Sequence, residues 1–292
     1  MPVPVILLPS DPLAPKRPDP HYVWEAQLVR ELGGQYVLLD HDALTAGAVA
    51  EAVSRVPRGT GPLWYRGWMM PTGAYAALAA ELSGRDCTLL TSPPSYADAH
   101  ELPGWYSVFE GATPTSTWAP GGAPGPAALA ELAARLGGRG PAVVKDYVKS
   151  RKHEWAEACY VPDLADLDGL ARVVSRFVAL QEDSLTGGVV LRRFEHYVRD
   201  EVGRAVEARV WWLDGEPVLT GPHPDCPGSD PEPDLTEVRP LVRRLGCRFV
   251  TTDLAQRADG GGWRVVEVGD GQVSDLPRGV DATGLLASLI AA

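Results

Sequence analysis

The chain has 292 residues, 45% of them hydrophobic, with a net charge of -11, enough for one large domain or two ordinary ones with buried cores. This acidity, with a pI near 5.0, speaks against a surface that tracks nucleic-acid phosphates, which needs a basic stripe. No apolar run approaches the roughly 20 residues of a membrane span, and no basic region precedes an apolar one at the N-terminus, so a cytoplasmic protein with neither nucleic acid nor membrane as partner is expected.

VPVILL (residues 3–8) reads as a short strand, HYVWEAQLVRELGG (21–34) as a helix with a Gly stop, and QYVLLD (35–40) as a strand again. PLWYRG, GAYAALAAELSG and DCTLLTSP repeat the pattern. Strands interleaved with helices imply a small parallel α/β domain over residues 1–113. GATPTSTWAPGGAPGP (111–126) reads as a linker or active-site loop, and PAALAELAARLGG starts with Pro and ends with Gly as a helix does.

Beyond it, PAVVKDYV, GVVLRRFEHYV, EARVWWL, EPVLTG, RFVTTDLA and GWRVVEVG are strand-like. One helical segment, DLDGLARVVSRFVAL, separates the first two and aligns Leu167, Leu170, Val174, Phe177 and Val178 on one face. Asp214-Gly215 and the run from Ala258 to Gly262 read as hairpin turns, so residues 114–292 are expected to be antiparallel sheet with packed helices. Cys87, Cys159, Cys226 and Cys247 form no CxxC pair and read as reduced packing residues.

Of the 27 basic residues only Lys16, Lys145, Lys149 and Lys152 are lysine. Where coding bias replaces generic lysine by Arg, the lysines that survive mark places that need an ammonium. Three of them fall in VVKDYVKSRKHEW. There an extended strand sets Val143, Lys145, Tyr147 and Lys149 on one face, and a long cation beside an apolar strand core calls for an anion such as polyphosphate. Lys149, Arg151, Lys152 and His153 form a basic turn able to close over it; a solvated basic loop is the alternative.

If the final hairpin pairs symmetrically about Gly260, Asp253 and Glu267 are cross-strand neighbours. Like charges so opposed are unfavourable unless a hard divalent cation binds both, and magnesium typically takes one or two carboxylates plus substrate phosphates. Asp270 and Gln272 offer further oxygens. Glu207 and Arg209, two apart on a strand, face the same way, and Arg can grip phosphate or carboxylate in bidentate fashion. In LWYRGWMMPTG, Arg66 and Trp68 precede a helix start and suit an amino-acid carboxylate, with domain-interface core as the alternative. His223 and Asp225 in GPHPDCP mark a second substrate-facing loop or a turn.

The order of these motifs resembles the ATP-grasp superfamily: a strand Lys, a basic turn, a helix, an adenine-lining strand, an E-x-R strand and a closing hairpin with Asp and Glu. KHEW, EARVWW and VEVGDGQ are similar to segments of its small stand-alone members. The resemblance spans roughly residues 114–292 and makes residues 1–113 the α/β domain that usually precedes this fold. It implies a two-subdomain fold with antiparallel sheets and binding of ATP and Mg2+. Lys145 and Glu207 would bind nucleotide, with Lys149 or Lys152 over the phosphates. Arg192, Arg193 and Phe194 would line the adenine hinge, and Asp253, Glu267 and Asp270 would hold metal. Arg209 would stand near the transferred phosphoryl group. Two departures stand out: Arg193 occupies a position that is often acidic, and Val268-Gly269 follow Glu267 where E-x-N is usual, leaving Asp270 or Gln272 as substitute. The activity implied is amide ligation of a small-molecule carboxylate and amine, amino acids or peptides among them, with ADP and phosphate as products. A kinase that stops at phosphoryl transfer, or a non-catalytic ATP-binding module, are the alternatives, and a homodimer is an admissible assembly.

Overall fold

The structure, a computed structural model, describes residues 3–226, 228–277 and 279–292, so Pro227 of the GPHPDCP loop lies outside the described residues. The chain divides into two compact units that do not follow chain order. The first gathers Met1–His100, Arg199–Leu254 and Glu267–Ala292; the second holds Glu101–Val198 and Ala255–Val266.

In the first unit, strands β1 (Val5–Pro9), β2 (Tyr36–Leu39), β3 (Gly61–Tyr65) and β4 (Cys87–Leu89) form a parallel sheet of order β2-β1-β3-β4. The expected parallel α/β pattern is borne out, with helices α1 (Val23–Glu31), α2 (His41–Thr45), α3 (Val49–Ala52), α4 (Thr72–Ser83) and α5 (Pro93–His100) between or after the strands. Alternation along the central strands feeds two cores. Val5, Leu7, Leu63 and Tyr65 pack with α4 on one face, whereas Ile6, Leu8 and Trp64 pack on the other with Trp211, Phe249 and the C-terminal helix.

That second core belongs to an antiparallel sheet of order β10-β9-β11-β12, built from β9 (Glu207–Leu213), β10 (Glu216–Pro222), β11 (Phe249–Gln256) and β12 (Trp263–Asp270). Asp214 and Gly215 turn β9 into β10 with φ of 50° and 80°, the left-handed pair that a two-residue hairpin requires. Helices α9 (Val238–Leu245) and α10 (Thr283–Ala291) follow β10 and β12.

The second unit carries β5 (Ser116–Pro120), β6 (Ala142–Lys145), β7 (Tyr160–Val161) and β8 (Gly188–Arg193) as an antiparallel sheet of order β5-β8-β6-β7. Helices α7 (Pro126–Arg135) and α8 (Leu167–Gln181) pack on it through Leu129, Leu132, Leu170, Val174 and Phe177; α6 (Leu102–Phe109) precedes them. Asp166 caps α8 by accepting the Gly169 N–H, which leaves Leu167 in the first turn exposed rather than on the buried face.

Two local expectations are corrected. GATPTSTWAPGGAPGP is not wholly a linker, because Ser116–Pro120 pairs with β8. The extended run through Lys149 stops at Lys145: the Asp146 carboxylate accepts N–H bonds from Val148 and Lys149 at 2.7 and 2.5 Å and folds the chain back, so that Lys145 bridges Ser150. Tyr147 and Lys149 therefore do not continue the strand face of Lys145. No helix among the described residues is long and apolar enough to cross a membrane, and the four cysteines are buried and free.

Candidate active site

In the first unit, Arg209 points from β9 beside Asp253 of β11. Its Nε and Nη2 donate to Asp253 Oδ1 and Oδ2 at 2.7 and 2.8 Å, a bidentate fork, and Nη1 donates to the Asp275 carbonyl at 3.3 Å. Register explains how His223 joins them: Arg209 pairs with Gly221 of β10, and two residues on the His223 ring lies 2.8 Å from Arg209 Nη2 and 3.4 Å from Asp253 Oδ2. Burial would raise the Asp253 carboxyl, but the Arg209 charge and hydrogen bonds, with His223, outweigh it and hold it well below the usual carboxylate range. Burial likewise lowers the Arg209 pKa, and Asp253 with the charges of Glu267 and Asp275 more than reverses it.

The closing hairpin keeps the symmetric alignment at its base. At the tip Arg257 N donates to the Gly262 carbonyl, one residue off symmetry about Gly260, whereas at the base Gly271 N donates to Phe249 O and Thr251 Oγ1 meets Gly269 O. Gly271 is needed there because a Cβ would come within 2.7 Å of the Phe249 ring. Asp253 lies against Arg209, and the Glu267 charge also acts on Arg209; these two carboxylates are the hard oxygen donors that would hold a magnesium.

Asp270 does not join them. It lies three residues beyond Glu267, an odd spacing that turns it to the other strand face. It is fully buried, with Oδ1 accepting the Gln272 backbone N–H and side-chain amide at 2.9 and 3.0 Å. Gln272 Oε1 in turn accepts the Tyr65 N–H at 3.2 Å and bonds the Tyr75 hydroxyl, so both suggested substitutes for the missing Asn are used internally. Among the described residues no group of three or more His, Cys, Asp or Glu is arranged to hold a metal.

Arg66 is also turned inward. Its side chain is buried, doubly bonded to Glu25 at 2.9 and 2.7 Å, and donates through Nη1 to the carbonyls of Gly271, Gln272 and Ser274. It staples the 271–274 segment to β3 and α1 instead of facing a ligand. Trp68 remains at the surface, donating to Asp19 Oδ2 at 3.1 Å and touching the rings of His21 and Tyr22. Glu207 opens β9 on the strand face of Arg209.

In the second unit, Lys145 ends β6, buried, with Nζ 3.3 Å from the Val148 carbonyl. Lys149 and Lys152 are exposed in and after the turn. Burial pushes the Cys159 thiol up to about 11, against the lowering charges of Lys152 and Lys145. Phe194 meets Tyr160, Trp155 and His196 in an aromatic cluster, and a recess beside it is lined by Arg139, Gly140, Pro141, Asp163 and Arg193. Arg193 donates to the Arg139 carbonyl at its rim. Arg192 faces the other way, bonding Ser116 Oγ at 3.0 Å and the Val266 carbonyl and lying over Trp105; it braces the sheet and does not line that recess.

Sequence reasoning missed Asp146, Glu25, His21 and Asp275. Nothing local marks them, since each owes its role to a partner distant in sequence or to a turn closed by its own carboxylate.

The first unit's parallel sheet joined to an antiparallel one, with the second unit's antiparallel sheet and helices, is the architecture of ATP-grasp ligases. The model of the ATP-grasp domain, R-two-K clade family 3, matches residues 135–289, and the chain belongs to that family. Among solved structures it is similar to D-cycloserine synthetase DcsG (16% identity, 98% of both chains covered, TM-score 0.64). It is also similar to a RimK domain protein ATP-grasp from Sphaerobacter thermophilus (16%, 99% and 100% covered, 0.59) and to D-alanyl-alanine synthetase A from Vibrio cholerae (9%, 99% and 97%, 0.57). At these identities the likeness is one of fold. No curated protein matches in sequence.

Proposed function

We propose that the protein is an ADP-forming ligase that joins a carboxylate to an amine, with amino acids or peptides as the substrate class. The observation that carries this reading is the buried Arg209–Asp253 pair with Glu267 and His223 around it, set in a chain of the ATP-grasp family. Phosphoryl transfer asks little covalent chemistry of protein groups; it asks for positioning and for cations facing the phosphoryl oxygens. Asp253 and Glu267 would hold magnesium, which supplies positive charge to those oxygens. Lys145 and Lys152 bind and orient the nucleotide phosphates, and the Phe194 cluster offers an aromatic wall to its base. Arg209 would stand near the transferred phosphoryl group and offer its guanidinium to the oxygens there.

The test is a screen of purified protein with ATP, magnesium and amino-acid pairs, scored by phosphate release and product mass. ADP and phosphate formed only with both a carboxylate and an amine support the reading; AMP and pyrophosphate overturn it. Lys145→Ala is expected to weaken ATP binding about 10- to 100-fold, the loss of charge-assisted bonds worth about 1.5–3 kcal/mol. Asp253→Asn and Glu267→Gln should lower turnover at least about a hundredfold. Wild-type ATP affinity in the first and wild-type turnover in the other two would remove these residues from the site.

A further inference from the structure

Beside Arg209 the first unit builds a second polar constellation that phosphoryl transfer does not use. His21 Nε2 lies 2.6 Å from Asp275 Oδ1, and Asp275 gives its own backbone carbonyl to Arg209 Nη1. One residue therefore holds both the imidazole and the guanidinium. The loop that carries His21 is locked by Asp19, whose Oδ1 accepts the His21 N–H at 2.8 Å while its Oδ2 accepts the Trp68 indole N–H at 3.1 Å. The ring itself is set between Tyr22 and Trp68, with centroids 4.9 and 4.8 Å away. Its side chain is 34% exposed.

A carboxylate only accepts, so a hydrogen bond to Asp275 places the proton of neutral His21 on Nε2 and leaves the lone pair on Nδ1. This is the orientation and tautomer control that a carboxylate exerts on a catalytic imidazole. An amine substrate arrives at neutral pH as an ammonium and has no lone pair until a proton leaves. Asp19 and Asp275 flank the approach with negative charge, and the Trp68 face, exposed beside Met69, offers a further surface for a cation.

We propose that His21, oriented by Asp275, is the base that deprotonates the amine nucleophile, an inference that rests on the ligase reading above. Nδ1 takes one proton from the ammonium. The freed nitrogen lone pair attacks the acyl carbon of the acyl phosphate formed when the substrate carboxylate takes the γ-phosphoryl group of ATP; the C–N bond forms as the C–O bond to phosphate breaks, and the second nitrogen proton leaves to phosphate or solvent.

Hydroxylamine separates this step from the rest, because it is already neutral at pH 8 and captures acyl phosphates as hydroxamates without a base. The enzyme is given ATP, magnesium and an equimolar mixture of common L- and D-amino acids, with and without hydroxylamine, and amide and hydroxamate are measured by mass. In His21→Gln, and to a lesser degree in Asp275→Asn, the ratio of amide to hydroxamate is expected to fall about a hundredfold, within the usual worth of a general base. An unchanged ratio overturns the role of His21 and leaves the ligase reading standing. Hydroxamate absent from the wild type overturns that reading and the base with it. Nitrogen-15 NMR of the protein without substrates supplies a readout independent of activity: the proton of neutral His21 is expected on Nε2 and redistributed in Asp275→Asn. A wild-type proton on Nδ1 sinks the proposal.

Discussion

Asp270 shows how burial alone sets the state of a side chain. Its side chain has no solvent-accessible surface, Oδ2 has no hydrogen-bond partner among the described residues, and desolvation pushes its carboxyl up to about 7 against the lowering effects of Gln272 and Arg66. Unfolded, the same group titrates near 3.9. Between those values the folded chain holds the proton that the unfolded chain releases, so this contribution to stability is full below about pH 4 and is lost as pH rises to about 7. At about 1.4 kcal/mol per unit the effect is on the order of a few kcal/mol. Urea unfolding of the wild type at pH 4.5 and 7.5 should show that decline, and Asp270→Asn should flatten it. Equal pH slopes in the two proteins would mean that Asp270 is solvated. Asp253 is the opposite case: equally buried, it stays ionised because Arg209 lies on both of its oxygens.

At the scale of elements, the turn after β6 decides where the lysines point. Asp146 is buried and accepts from Val148 N, Lys149 N, Gln181 Nε2 and Thr186 N at 2.7, 2.5, 2.7 and 3.3 Å. One carboxylate thus closes the turn and ties it to the end of α8 and the start of β8. Asp146→Ala would strand several buried donors, each costing about 1–3 kcal/mol. We expect a stability loss of about 3 kcal/mol or more in chemical unfolding, together with weaker ATP binding as Lys145 and Lys149 lose their setting. A variant that unfolds like the wild type would show that the turn is held by β6 and β8 alone. The β11–β12 hairpin carries the same lesson in register: a one-residue slip would send Asp253 or Glu267 to the opposite face, and Gly271 against the Phe249 ring pins it.

In the whole molecule, the first unit is closed by residues from both ends of the chain. Leu285, Leu286 and Leu289 of α10 are fully buried with Ile6, Leu8, Val29, Trp64, Trp211 and Phe249. The last helix therefore completes a core that the first strand begins. Leu286→Ala should cost about 2–5 kcal/mol, the usual range for a buried Leu truncated in a packed core, read as a lower urea midpoint at unchanged slope. A loss below about 1 kcal/mol would show that α10 is peripheral. The first unit takes residues 1–100 and then draws on residues 199–254 and 267–292.

The alternation of strands and helices to α5, the amphipathic α8 and the Asp214-Gly215 turn were legible in the sequence, because each depends on spacings of a few residues or on the φ that a turn demands. Hairpin symmetry about Gly260 is kept at the base of the closing hairpin, where Gly271 meets Phe249, and is lost by one residue at its tip, where Arg257 N donates to the Gly262 carbonyl. What only the tertiary structure decided is which charges are turned inward. Arg66 meets Glu25 across a sequence separation of 41, and His21 meets Asp275 across 254. Arg192 sinks against Ser116 and Val266 while its neighbour Arg193 faces the recess. A long cation beside an apolar strand looks the same in sequence whether it awaits a ligand or already has a partner. Desolvation makes a buried charge costly until an opposite charge meets it, and only the fold determines where that charge comes from.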